Sequence, residues 1–361
     1  MTATTRPDID PDRRRGRGAL TNQSGRFDLV RVEENDGWDM AEERGAFQTH
    51  VTEERIGRLI TYNTSPDLPF DRSINPYRGC EHGCVYCFAR PTHAYLGLSP
   101  GLDFETRLVA RPNAAEVLER ELRARSYTVA PVAIGTNTDP YQPVERDRGI
   151  MRDVLGVLRE FRHPVGIVTK GALVERDIDI LAPMAAQGLT HVGVSLTTLD
   201  ADLSRRMEPR APSPARRLRM IRSLSDAGIP VRAMLAPVVP GLTDHEVEPL
   251  LSAARDAGAS AASWIMLRLP REVEGLMMDW LTAHYPNKAE KVMARLREMH
   301  GGKAYTPEWG RRMRGEGIHA EMIAQRFRKA AARLGLDKGL PPLRTDLFLP
   351  PLARDGQLAL F

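Results

Sequence analysis

The sequence predicts an α/β fold: a parallel sheet built from repeated βα units and curled into an open or partial barrel. Three observations predict it. From about residue 55 to residue 270, short apolar runs alternate with helical patterns. The runs are apolar on both faces, as in strands covered by helices on either side. Their repeat is roughly 35 residues, the length of a right-handed βα unit.

The runs place strands at 130–135 (APVAIG), 164–169 (PVGIVT), 191–197 (HVGVSLT), 231–239 (VRAMLAPVV) and 262–269 (ASWIMLRL), with a first strand ending near Arg78-Gly79. Helices are predicted at 113–125, 146–161, 174–187, 214–227 and 245–257. Asn113 and Ser213 stand where N-caps belong, and Gly188, Gly228 and Gly258 stand where helices stop. Chemistry in such a sheet belongs at the C-terminal strand ends. Cys80, Thr136 to Asp139, Lys170, Ser195 and Pro237 all fall there.

Around this core, at 55–270, the sequence divides into extensions. Residues 1–54 read as a mostly flexible basic tail, opening on the run Arg13 to Arg17. Within it, Arg15-Gly-Arg-Gly-Ala-Leu20 and Ser24-Gly-Arg-Phe27 read as either a docked segment or a disordered one. Residues 271–336 read as a helical extension, and 337–361, with Pro341, Pro342, Pro350 and Pro351, as a second tail.

An apolar content of 42% and a charged content of 27% are ordinary for a soluble globular chain. No apolar run is long enough to span a bilayer. The opening MTATTRPDIDPDRRRGRG has no apolar core behind its charges, so it is not a secretory signal, and a cytoplasmic protein is expected. The net charge of +4 permits nucleic-acid contact without requiring it. Arginines crowd at Arg216, Arg217, Arg219 and Arg222, and again at Arg311, Arg312 and Arg314, as nucleic-acid contacts or as solvated faces.

The chain has 3 cysteines, all in the segment Arg78-Gly-Cys80-Glu-His-Gly-Cys84-Val-Tyr-Cys87-Phe-Ala-Arg90. An odd, clustered set argues for a metal site rather than a disulfide framework. Gly79 and Gly83 supply the tight turns that let three thiolates wrap one small cluster. A [4Fe–4S] cube usually takes four thiolates; with three available, one iron stays open to another ligand. The alternative is a structural zinc site with His82 or His93 as fourth ligand, although the second CxxC-like pair usual for zinc is missing.

CxxxCxxC with an aromatic residue, Tyr86, before the last cysteine resembles the signature of the radical S-adenosylmethionine (SAM) superfamily. The resemblance spans roughly residues 70–270 and implies a partial (βα)6 TIM-like barrel. It implies a [4Fe–4S] cluster on Cys80, Cys84 and Cys87, whose open iron is chelated by SAM. It also implies reductive cleavage to a 5′-deoxyadenosyl radical, and an electron donor such as flavodoxin or ferredoxin. Asn137, Thr138 and Asp139 fall where the superfamily contacts the SAM amino group, turn chemistry before Pro140 being the other reading. Lys170 and Ser195 resemble the SAM-carboxylate lysine and the SAM-binding serine of spore photoproduct lyase-like proteins. Arg210, in Glu208-Pro-Arg210, is a candidate to steady a carboxylate or phosphate, and Ala236 to Asp244 resembles the segment near the adenine and ribose.

One departure counts against thymine-dimer reversal. Spore photoproduct lyase returns a hydrogen atom from an additional cysteine near the end of strand two, where this chain has Gly135-Thr136. Tyr141 in that loop is a candidate radical relay or a packed side chain. Gln357-Leu-Ala-Leu-Phe361 resembles the QLxLF pentapeptide that docks bacterial replication and repair proteins on the sliding clamp; an apolar chain end folding back on its own domain is the alternative. Together these readings leave three functions open: a radical SAM enzyme on nucleic acid, one on a small molecule or protein, and a non-catalytic iron–sulfur or zinc binding module.

Overall fold

The computed structural model describes residues 14–27 and 47–351. Six parallel strands, Arg72–Ile74, Val132–Ile134, Val165–Thr169, Thr190–Ser195, Val231–Val238 and Ala261–Met266, lie side by side in chain order. A short antiparallel strand, Thr61–Tyr62, covers the edge beside the first. This is the partial TIM-like barrel that the apolar runs predicted. Alternation explains the two faces: Val165, Ile167 and Thr169 are buried towards the helices while Gly166 and Val168 are less so. Each fully buried Val, Leu or Ile side chain contributes about 1.5–3 kcal/mol.

Helices Ala114–Leu122, Ile150–Glu160, Ile178–Ala186, Pro214–Asp226 and Val247–Asp256 pack on the outside. Ser213 caps its helix through a bond from the Arg216 N–H. Asn113 occupies the N-cap position, but its side-chain amide instead clamps the backbone N–H and carbonyl of Ile56. The helix expected at 146–161 is broken at Gly149, where φ is +66°.

The first strand differs from expectation. It ends at Ile74, and Tyr77–Arg78 pairs with Val109–Ala110 in a separate three-stranded sheet that also holds His50–Glu53. Pro76, which has no N–H to extend the ladder, sits between the two. The cysteine loop therefore springs from this small sheet.

Helices Glu272–His284, Pro286–Met299 and Gly317–Leu334 form the C-terminal extension. Between the last two, a connecting stretch spans the open side of the barrel. The Met266 N–H at the last strand donates to Met313 O (2.8 Å), and Arg312 donates to Asp67 (2.6 Å), beside the edge strand at the other end. Two segments expected within tails are docked. Residues 14–27 meet the cysteine loop at Gly18 and then run along Glu105, Asp103 and Glu272, while Phe348 packs among Tyr127, Phe161 and His163. Gln357 to Phe361 lie outside the described residues. Among the described residues, no helix is long and apolar enough to cross a membrane.

Candidate metal and cofactor site

Gly79, at φ +74°, turns the chain out of Tyr77–Arg78 into the cysteine loop; a Cβ there would stand 2.7 Å from Leu108 Cδ2 and 2.9 Å from Phe104 O. Cys80 and Cys84 are buried, Cys87 is half-buried, and none is in a disulfide. Burial pushes the Cys80 thiol well up and the Cys84 thiol up to about 12, so a cation is needed to hold them as thiolates.

The loop is held rigidly from outside. The Gln142 side chain accepts from the Glu81 N–H (2.8 Å) and donates to Gly79 O (3.2 Å). The fully buried Arg90 donates to Cys84 O (2.9 Å), to Pro100 O and Gly101 O, and to Glu105. Glu105 in turn accepts from the N–H groups of Gly18 (2.9 Å) and Ala19 (2.8 Å). This draws the N-terminal segment so close that a Cβ on Gly18 would stand 1.8 Å from Gly83 O.

The two histidines that the zinc alternative would use each spend one ring nitrogen on the protein, which leaves His82 Nε2 and the buried, unpartnered His93 Nδ1. His82 Nδ1 lies 3.3 Å from Asp139, and His93 Nε2 donates to Arg107 O. Among the described residues, no three Cys, His, Asp or Glu side chains converge on a point that a single ion would fill. A cube carries its thiolates on separate corners and needs no such convergence.

The candidate SAM contacts divide into two groups. Some are spent on the protein itself. Asp139 accepts from the Tyr141 N–H, the Thr169 hydroxyl, the Lys170 N–H and His82, which ties strand two, strand three and the cysteine loop together. Burial alone would raise its pKa, but His82, Lys170 N–H and Thr169 hold it well below the usual carboxylate range. Thr138 donates to Tyr77 O, Arg210 pairs with Glu81 at 3.2 Å, and the Tyr86 hydroxyl donates to Glu208.

Others are unspent. Asn137 and Ser195 side chains bond no described residue, and Lys170 Nζ has its nearest carboxylate oxygen at 3.9 Å. They stand at the ends of strands two, three and four, which are neighbours in the sheet. Burial opposes the Lys170 charge, but Cys84 and Glu208 outweigh it and keep the ammonium protonated.

Tyr141 does not join this group. Its ring lies in the core, and its hydroxyl is buried beside Asp177. Glu208 stands beside this group without being unspent, although the motif drew attention to Arg210 instead. It is fully buried and accepts from Tyr86, Thr197 (2.8 Å) and Arg217. Burial resists its ionisation, yet Arg217 and Lys170 bring its pKa down to about 2. Its partners lie eleven, nine and many more positions away in the chain, so no local pattern marks it.

The model of the radical SAM superfamily matches residues 74–254. An uncharacterized protein of Mycobacterium tuberculosis is 39% identical over 287 residues, covering 79% of this chain and 81% of that one. Spore photoproduct lyase complexed with dinucleoside spore photoproduct superposes with a TM-score of 0.55 at 16% identity, covering 79% of this chain and 78% of that one. A mutant of that lyase with bound AdoMet and dinucleoside spore photoproduct gives a TM-score of 0.54 at 16% identity, with the same coverage. The chain belongs to the radical SAM superfamily, and its barrel has the fold of these lyase structures.

Proposed function

We propose that the chain is a radical SAM enzyme that holds a [4Fe–4S] cluster on Cys80, Cys84 and Cys87 and acts on nucleic acid. The observation that carries the chemistry is the loop itself: three free thiols, no fourth cysteine in the chain, and a row of unspent polar groups on the neighbouring strand ends. When bound, the cluster supplies one electron to the SAM sulfonium, giving methionine and a 5′-deoxyadenosyl radical that takes a hydrogen atom from the substrate.

The chain's own residues do the rest. Gln142, Arg90 and Asp139 fix the loop. Lys170 offers an ammonium to the SAM carboxylate, and Glu208, clamped by Arg217, holds Lys170 charged and Tyr86 in place. Asn137 and Ser195 offer the remaining donors. The buried surround keeps water and stray hydrogen donors from the reacting atoms.

The fold of a lyase complexed with a dinucleoside supports the nucleic-acid reading. So does the rim where the exposed Phe88 ring stands against Arg268, with Arg312 nearby. With all cysteines in the cluster loop, hydrogen return to a product does not use a cysteine of strand two. Gln357 to Phe361 would dock the enzyme on the sliding clamp, and a flavodoxin or ferredoxin would supply the electron. Reconstitution with iron and sulfide without oxygen, then dithionite and SAM, tests the reading: 5′-deoxyadenosine is the expected product, and fully loaded protein that forms none refutes it.

A further inference from the structure

We propose that Arg268 and Phe88 form a substrate subsite at the rim of the barrel mouth, in which Arg268 grips a phosphate group and Phe88 carries a stacked base. This rests on the nucleic-acid reading above and names the residues that hold the substrate.

Arg268 lies two residues beyond the end of the sixth strand at Met266, and Phe88 directly follows Cys87. The guanidinium lies over the Phe88 ring, 4.0 Å from its centroid. Cys87, Tyr305, Arg312 and Asp67 are the charged or titratable groups around it, so the pair stands beside the cluster loop.

What sets Arg268 apart from the buried Arg90 and Arg217 is its lack of acceptors. Arg90 spends its N–H groups on three carbonyls and Glu105, and Arg217 spends its own on Pro212 O, Ser195 O and Glu208. Arg268 makes no hydrogen bond or ion pair with any described residue. The nearby carboxylate, Asp67, is already taken by Arg312, Ser65 and the Gly310 N–H. Arg268 is partly buried, and its N–H groups, bonded to no described residue, stay open to an oxyanion ligand.

The shape of the pair narrows the ligand. The planar fork of an arginine suits two oxygens of one phosphate or carboxylate. Phe88 keeps 41% of its surface exposed, unusual for a ring beside a buried loop. A nucleotide supplies both an oxyanion and a flat base, and aromatic stacking with phosphate contact is how single strands are held.

The test measures binding of a fluorescently labelled single-stranded DNA oligonucleotide to cluster-loaded protein by anisotropy. Arg268→Gln is expected to weaken binding roughly tenfold, the loss of one charge-assisted contact, and Phe88→Ala to weaken it as well. Arg311→Gln, which removes an exposed arginine already paired with Glu308 and Glu316, is expected to change it less than about twofold. Iron and sulfide contents equal to wild type show that each variant is folded. A loss in Arg268→Gln no larger than in Arg311→Gln overturns the subsite while leaving the nucleic-acid reading intact. Wild-type protein that ignores the oligonucleotide overturns both.

Discussion

Lys170 Nζ lies 3.9 Å from Glu208 Oε1, close enough for attraction and too far for a hydrogen bond. Glu208 is saturated by Arg217, Tyr86 and Thr197, so the ammonium keeps its donors for a ligand. Lys170→Met should therefore leave the cluster in place and weaken SAM binding by about tenfold or more. Equilibrium dialysis of labelled SAM against reconstituted protein measures this. Equal affinity in the variant removes Lys170 from the cradle.

The contact between Gly18 and Gly83 makes the N-terminal segment a cover on the cysteine loop. Gly18→Ala has no room for its methyl, with Gly83 O 1.8 Å from the Cβ position. The segment should lift, at a cost of about 1–3 kcal/mol, and two readouts should move together. Proteases should cut the N-terminal segment faster, and the cluster should bleach faster in air. Bleaching at the wild-type rate, with the segment released, would mean that the cover does not shield the cluster.

Asp67 and Arg312 fasten the stretch that spans the open side of the barrel. Bonds from Arg312 bring the Asp67 carboxyl from 3.8 down to about 2. Because the folded value lies below the unfolded one, the pair's stabilisation is fully present above 3.8 and is lost as pH falls towards about 2. Hydrogen exchange of residues 303–314 should accelerate over that window. Asp67→Asn should speed exchange at neutral pH by an opening free energy of about 1–2 kcal/mol and flatten the pH dependence. An unchanged profile in the variant would show that other contacts hold the stretch.

Deleting residues 357–361 should abolish retention of the full chain on immobilised sliding clamp and leave cluster content unchanged. Retention equal to the intact chain would show that the pentapeptide is not the docking element.

Much of this was legible in the sequence, for a physical reason. Strands buried on both faces must be apolar throughout, so five of the six barrel strands stand within two or three residues of where their runs placed them. The cysteine cluster was legible because its three members lie within one short segment, Cys80 to Cys87. The first strand was misplaced because Tyr77–Arg78 has strand-like composition but pairs with residues near Val109, a partner no local pattern names. Gln142, Arg90, Glu105 and Glu208 were not singled out as site residues for the same reason: each acts through partners brought near only by the fold. Asp139 shows the converse. Its position at a strand end drew both a functional and a turn reading, and the structure gives it four protein partners, including the Tyr141 N–H of that turn.

The central claim is that three thiolates hold an iron–sulfur cube with one iron left for SAM. Electron paramagnetic resonance of the anaerobically reconstituted, dithionite-reduced protein, with and without SAM, tests it most directly. The account predicts the signal of a reduced cube whose shape changes when SAM is added, and the loss of both in a Cys84→Ala variant. Zinc in place of iron, or an iron signal that ignores SAM, would contradict it.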